Sequence, residues 1–281
     1  MSKLRELLSR SQEGKMNKKE YSKMEENIEE LIQQFKQMIE DSGDELLKSW
    51  RFQDEFLLRF IRGKKYKLKS AFEKLQNNVV AKRHSYPEIF EKLYPSALRS
   101  ILDKRMMRIL KHRDNQGSHI VIFKPENYDP QETLVDDLLR VQILVTWEMM
   151  SFKETQLNGI VIIVDGSGFS TKQIKVVTPY NAQKYVTLAI KCSPTRFKGC
   201  YIVCLPQVLH FGVQMVRALL PEKVRNRMIS FGSNMDDFYK LVPPSILPIS
   251  LGGSLTDDEA IDYDLENALF DKDAYYKDLI Q

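Results

Sequence analysis

Three cysteines in 281 residues are too few, and odd in number, for a disulfide framework, which points to a reducing, cytosolic setting. Cys200 and Cys204 fall four apart in an expected strand, on one face, and read as packed thiols. No apolar run approaches the roughly 20 residues needed to span a bilayer. The first residues, MSKLRELLSRSQEGK, lack the uninterrupted apolar segment of a secretory leader. Ser2 stands where myristoylation needs glycine, and no C-terminal cysteine awaits a prenyl group. The four histidines, His84, His112, His119 and His210, show no metal-ligand spacing with cysteine or carboxylate, so no metal is expected. A net charge of +4 is too small to imply nucleic-acid binding. Catalytic loops are missing too. Gly166-Ser167-Gly168 follows an expected strand, but Thr171 stands where the third glycine of a dinucleotide loop belongs. No glycine loop carries a phosphate-binding lysine, and Ser167 is out of phase for a nucleophile elbow. With no nucleophile, base or cofactor loop, the chain reads as a binder or carrier rather than an enzyme, with no cofactor.

What the sequence does have is concentrated between Thr195 and Ser233. A short apolar run, Cys200 to Leu205, reads as a buried strand ended by Pro206. Gln207 to Leu220 is then a helix that is apolar almost all round, through Val208, Leu209, Phe211, Val213, Met215, Val216, Leu219 and Leu220. A cationic cluster, Pro221 to Arg227, follows at once. Two readings fit: a core helix with a solvated charged end, which is the commoner case, or a lid that closes over something oily and opens against an anionic membrane.

In chain order, Asn17 to Glu40 is predicted to be a helix capped by Asn17, with Met24, Ile28, Leu31, Phe35 and Met38 as its stripe. Asp54 to Arg62 and Leu68 to His84 are two more helices; Arg59 and Arg62 are expected to face away from the core. Met106 to Lys111 and His119 to Phe123 read as an antiparallel hairpin. Asp136 to Phe152 is a long helix in which Gln142 and Thr146 share one face among apolar neighbours, so they meet either backbone groups or the head of a bound molecule. Ile160 to Val164 and Arg227 to Phe231 are strands, and Pro179 to Lys191 is a helix. Strands alternating with helices give an α/β fold with a mostly parallel sheet. The expected division is a helical module over 1–95, an α/β domain over 96–255 and an acidic helical tail over 256–281, laid across the outside.

FLLRFIRGKKY (Phe56 to Tyr66), QLNGIVIIVDGSGFS (Gln156 to Ser170), SPTRFKGCYIVCLP, LPEKVRNRMISFG and LPISLGG (Leu247 to Gly253) occur in this order. Together they resemble the CRAL-TRIO lipid-transfer family, in its tocopherol-transfer and retinaldehyde-binding branch. Ser250 and Leu251 depart from the Glu and Tyr usual in the last motif. The resemblance implies a helical N-terminal module on an α/β domain with a lipid cavity and a mobile lid helix over Gln207 to Leu220.

It also implies two sites. A groove for phosphatidylinositol bisphosphates falls on Lys64, Arg196, Lys198, Lys223 and Arg227, where an arginine offers phosphate a bidentate contact that lysine does not. The cavity wall falls on Phe123, Leu139, Gln142, Thr146, Ile160, Val177, Tyr185, Leu188, Ala189, Ser193 and Thr195. Ser193 and Thr195 make one end more polar than in the tocopherol binder, and the absence of Glu at 195 argues against phosphatidylinositol as the cargo. The expected function is transfer of a small tocopherol-, retinoid- or isoprenoid-like lipid between membranes, with bisphosphate binding opening the lid. The alternative is a phosphoinositide-binding sensor or scaffold in membrane trafficking that moves no cargo. The expected partners are the hydrophobic lipid, the bisphosphates and an anionic endosomal or plasma membrane, touched transiently by a cytoplasmic monomer that binds no nucleic acid.

Overall fold

The computed structural model describes residues 18–232 and 235–280. The expected cap at Asn17 lies outside the described residues. The first helical stretch is two helices, α1 (Lys18–Glu26) and α2 (Ile28–Asp41). They part at Asn27, whose side-chain amide donates back to the Lys23 carbonyl, a local bond that competes with helix continuation. Ile32, Phe35 and Ile39 of α2 are buried against α3 (Asp54–Gly63) and α4 (Leu68–Val80).

In α3 the apolar residues Phe56, Leu57, Phe60 and Ile61 face in as expected, but Arg59 and Arg62 are buried as well. Each is held by a partner distant in sequence. Arg59 donates to the Tyr275 hydroxyl at 2.7 Å, and Arg62 donates to Glu25 of α1 at 2.8 Å and to Gln156 at 2.9 Å. Burying a guanidinium is costly without such partners; Arg59 keeps this one, and its Nη1 has none among the described residues. Helix α4 ends at Val80 rather than His84, and residues 81–85 widen into a π turn.

The second layer is a five-stranded sheet of β1 (Met107–Ile109), β2 (His119–Phe123), β3 (Ile160–Asp165), β4 (Phe197–Val203) and β5 (Met228–Ser230), in that spatial order. β1 is antiparallel to β2, and the other pairs are parallel. The crossovers carry α5 (Val135–Met149), α6 (Pro179–Val186) and α7 (His210–Leu219). Strand residues alternate between two faces. Ile120, Ile122, Val161, Ile163 and Val203 pack under Phe231, Phe238 and Val242. The opposite face turns Phe123, Ile160, Ile162, Val164, Cys200 and Ile202 toward the crossover helices.

The segment after Thr256 is helical, with α8 (Tyr263–Ala268) and α9 (Asp273–Ile280). It is keyed into the core rather than laid over it. Tyr276 is buried and donates to the buried carboxylate of Glu148 on α5 at 2.7 Å, and Lys272 pairs with the same carboxylate. Among the described residues no helix is long and apolar enough to cross a membrane.

Candidate functional site

The helices do not pack flat on the second sheet face. They leave a cavity of about 310 Å³. Two rungs of the sheet register form its floor. Met107, Phe123, Val164 and Ile202 lie across one, and Ile162, Cys200 and Met228 across the next. The walls come from α5, α6 and the π turn at Thr187–Cys192, and α7 covers the opening.

All eleven residues expected on the wall lie there: Phe123, Leu139, Gln142, Thr146, Ile160, Val177, Tyr185, Leu188, Ala189, Ser193 and Thr195. Among the described lining residues there is no Asp, Glu, Lys, Arg or His. Burial pushes the Tyr185 hydroxyl and the Cys200 thiol up to about 12, and the Cys192 thiol to about 11, so the interior carries no charge at neutral pH. An enclosure of this kind accepts hydrocarbon and rejects an ionised head.

Its few polar groups are mostly paired with each other. The Gln142 amide donates to the Tyr185 hydroxyl at 2.6 Å, so its partner is a side chain of α6. The Ser193 hydroxyl donates to Thr195 Oγ1 at 2.9 Å. The π turn leaves carbonyls without helical partners, and α4 supplies the donors. Lys74 bonds the Ile190 carbonyl at 2.7 Å and Asn78 bonds the Cys192 carbonyl at 3.2 Å. The helical module therefore braces the cavity wall from behind. Asn78 itself reaches the wall; a polar residue three positions after buried Leu75 was its one mark in the sequence.

The covering helix is not uniformly apolar in use. A 3₁₀ turn over Gln207–Leu209 precedes α7. Leu209, Val213, Val216 and Leu220 face the cavity. Phe211 and Leu219 point to solvent, 72% and 41% exposed, and Met215 is half-buried. The Val208 side chain lies outside what is described. The helix has a greasy face on either side of one thin layer. Cys204 corrects the expectation of two packed thiols on one strand face. β4 ends at Val203, and Cys204 is exposed with φ 54°.

Cations gather at the rim where α3 ends. Burial and then Lys223 hold the Lys64 ammonium below its ordinary value; burial, Arg196, Lys223, Lys67 and Arg227 do the same to Lys65. These like-charge effects place Lys64, Lys65, Arg196, Lys223 and Arg227 within one field. Lys198 joins them beside Arg196, both against Gly159. Lys65 is a member that motif matching did not single out.

Arg196 is not a free fork. Arg196 donates to the carbonyls of Arg62, Gly63 and Leu157 and to the Tyr21 hydroxyl. Four of its five N–H groups are thus occupied, and the bidentate contact expected of it is unavailable. Arg227 is tied to the Phe197 carbonyl. Arg227 is half-buried and Lys223 is an exposed ammonium.

Residues 103–253 match the CRAL/TRIO domain and residues 3–77 the CRAL/TRIO N-terminal domain. The alpha-tocopherol transfer protein-like protein of Homo sapiens is 32% identical over 201 residues, 72% of this chain and 58% of that protein. Clavesin-1 of Rattus norvegicus is 29% identical over 231 residues, 80% of this chain and 63% of its own. The chain spans less than two thirds of the length of these relatives. The crystal structure of Sfh5 superposes with a TM-score of 0.52 at 11% identity, covering 92% of this chain and 96% of that one, a likeness of fold.

Proposed function

The chain belongs to the CRAL/TRIO family, and on that footing we propose that it is a non-enzymatic carrier that encloses one small neutral lipid and transfers it between membranes. The cargo is of tocopherol, retinoid or related isoprenoid type. The lid opens when the rim cations meet phosphatidylinositol bisphosphate on an anionic endosomal or plasma membrane. The protein works as a monomer and takes no part in nucleic-acid binding.

The observation that carries this reading is an uncharged cavity roofed by a helix with Leu209, Val213 and Val216 inside and Phe211 outside, hinged to Lys223. Burying a methylene is worth about 0.8 kcal/mol, so a dozen carbons hold cargo by on the order of 10 kcal/mol, too much for timely escape into water. Release then needs a place where the lid exchanges its inner contacts for lipid. Each cation near an anionic surface contributes about 1 kcal/mol, so Lys64, Arg196, Lys198, Lys223 and Arg227 together give roughly 5 kcal/mol, enough for reversible docking.

The test is transfer of a fluorescent isoprenoid lipid between vesicles with and without phosphatidylinositol bisphosphate in the acceptor. Net delivery that accelerates with the bisphosphate is expected. Binding without delivery supports the sensor or scaffold reading instead.

A further inference from the structure

Helix α1 is fastened at the cationic rim by two of its side chains. Tyr21 and Glu25 stand four apart, so they share one face of the helix. The Tyr21 hydroxyl accepts from Arg196 Nη1 at 3.1 Å, and its ring faces the guanidinium, 6.0 Å from Cζ. Glu25 takes the fork of Arg62 at 2.8 and 2.9 Å, the Tyr66 hydroxyl at 2.6 Å and Lys153 at 2.7 Å. Tyr66 in turn lies edge-on to the Tyr21 ring. Lys65 and Tyr66 are both left-handed, with φ of 56° and 58°, a conformation that residues other than glycine hold only when their surroundings impose it. The clasp therefore helps to fix the turn that carries Lys64 and Lys65 into the rim.

Three of the four groups that occupy Arg196 are backbone carbonyls, from Arg62, Gly63 and Leu157, fixed where the helical module meets the α/β layer. Tyr21 is the movable one. It is half-buried and belongs to a nine-residue outer helix whose Ser22, Lys23 and Glu26 are exposed. We propose that α1 is a removable strap over the phosphate site: an anionic head group takes the place of the Tyr21 hydroxyl on Arg196, and α1 lifts as it does. A phosphate replaces a neutral acceptor with a charged one and so makes the stronger bond. With Tyr21 gone, two of the five N–H groups of Arg196 are available, the number a bidentate contact needs. The arriving phosphate also stands on the face of α1 that carries Glu25, and the two anions repel. Burial works against the Glu25 charge, but Arg62, Lys153 and Tyr66 hold its carboxyl down to about 2, so that anion is present at any physiological pH. After burial, Arg196 is the strongest influence lowering the Lys65 ammonium, which sets a second cation near the vacated position. The inference rests on the reading above and concerns how its phosphate site is opened.

The probe is inositol 1,4,5-trisphosphate, which has no acyl chains and so keeps the cavity out of the measurement. The full chain is titrated with it by calorimetry at low salt, and hydrogen exchange of the α1 amides is followed with and without it. Tyr21→Ala is expected to bind about fivefold more tightly than the wild type, because one hydrogen bond no longer has to be displaced. The wild-type α1 amides are expected to exchange faster when the probe is bound. Equal or weaker binding by Tyr21→Ala overturns the strap and leaves the phosphate site and the carrier reading standing. Unchanged or slower exchange of α1 in the bound wild type does the same, since α1 is then a fixed wall of the site. No binding by either protein overturns the phosphate site itself, and the strap with it. Should Tyr21→Ala fail to fold, Tyr21→Phe, which keeps the ring and loses only the hydroxyl, makes the same comparison.

Discussion

A Cβ atom built on Gly63 would lie 2.2 Å from the carbonyl oxygen of Pro194. Helix α3 therefore ends in direct backbone contact with the chain entering β4. That contact sets Lys64 and Lys65 beside Arg196, whose guanidinium caps the Arg62 and Gly63 carbonyls. The junction of the helical module with the α/β layer and the cationic rim are one construction.

Gly63→Ala is expected to destabilise the protein by about 1–3 kcal/mol, because backbone cannot yield as a side-chain tip can. Urea unfolding measures the loss. A midpoint within error of wild type would show that the two backbones can separate without consequence.

Lys223 is exposed, so its charge is available at a membrane surface. Lys223→Glu removes one favourable charge and adds an unfavourable one, worth about 2 kcal/mol together. Association with vesicles containing phosphatidylinositol bisphosphate should weaken by roughly 30-fold. The effect should shrink at 0.5 M salt, where the Debye length drops to a few ångströms, roughly 4. Sedimentation with vesicles at two salt concentrations checks both statements.

Gly212 sits on the inner face of α7, and a Cβ there would meet Ile174 Cδ1 at 2.6 Å. Ile174 lines the cavity, and its side-chain end can move. Gly212→Ala should lift the lid slightly, for a loss of about 1 kcal/mol of closed state. Passive loss of a preloaded fluorescent lipid should accelerate by about fivefold. Slower loss would mean the added methyl tightens the seat instead.

Lys82 lies among the rings of Trp50, Phe56, Phe90 and Trp147 and donates to the Leu279 carbonyl. Burial, and then Arg59 and Arg83, push its ammonium down to about 7; burial and then Lys64 push Lys74 down to about 8. The unfolded chain keeps both protons to near 10.5. Between pH 7 and 9 the unfolded state thus binds more protons than the native one, so stability should rise with pH. Above pH 9 the raised thiols of Cys192 and Cys200 act in the opposite sense, since the native state then holds more protons. Urea midpoints at pH 6.5, 7.5 and 9 test this, and Lys82→Met should flatten the rise.

Much of the fold is legible in local pattern. β2 spans His119–Phe123, the bounds expected for the second hairpin strand, and β3 runs one residue past the apolar run Ile160 to Val164. The ends of α4 and α6 were overrun because π turns interrupt them. Such turns depend on donors from elsewhere, Lys74 and Asn78 for the second, and have no local signature. The burial of Arg59 and Arg62 was missed for the same reason. Tyr275 and Glu25, which make it tolerable, lie far away in sequence.

The order of strands and helices, the apolar excess of α7 and the positive charge behind it were settled by the chain as written, because periodicity and composition act over neighbouring residues. Which face of α7 looks inward, which arginine fork is already occupied and which tyrosine helps to occupy it were decided only by folding. Those properties depend on which distant groups arrive within 3 Å of one another, and no count of nearby residues contains that distance.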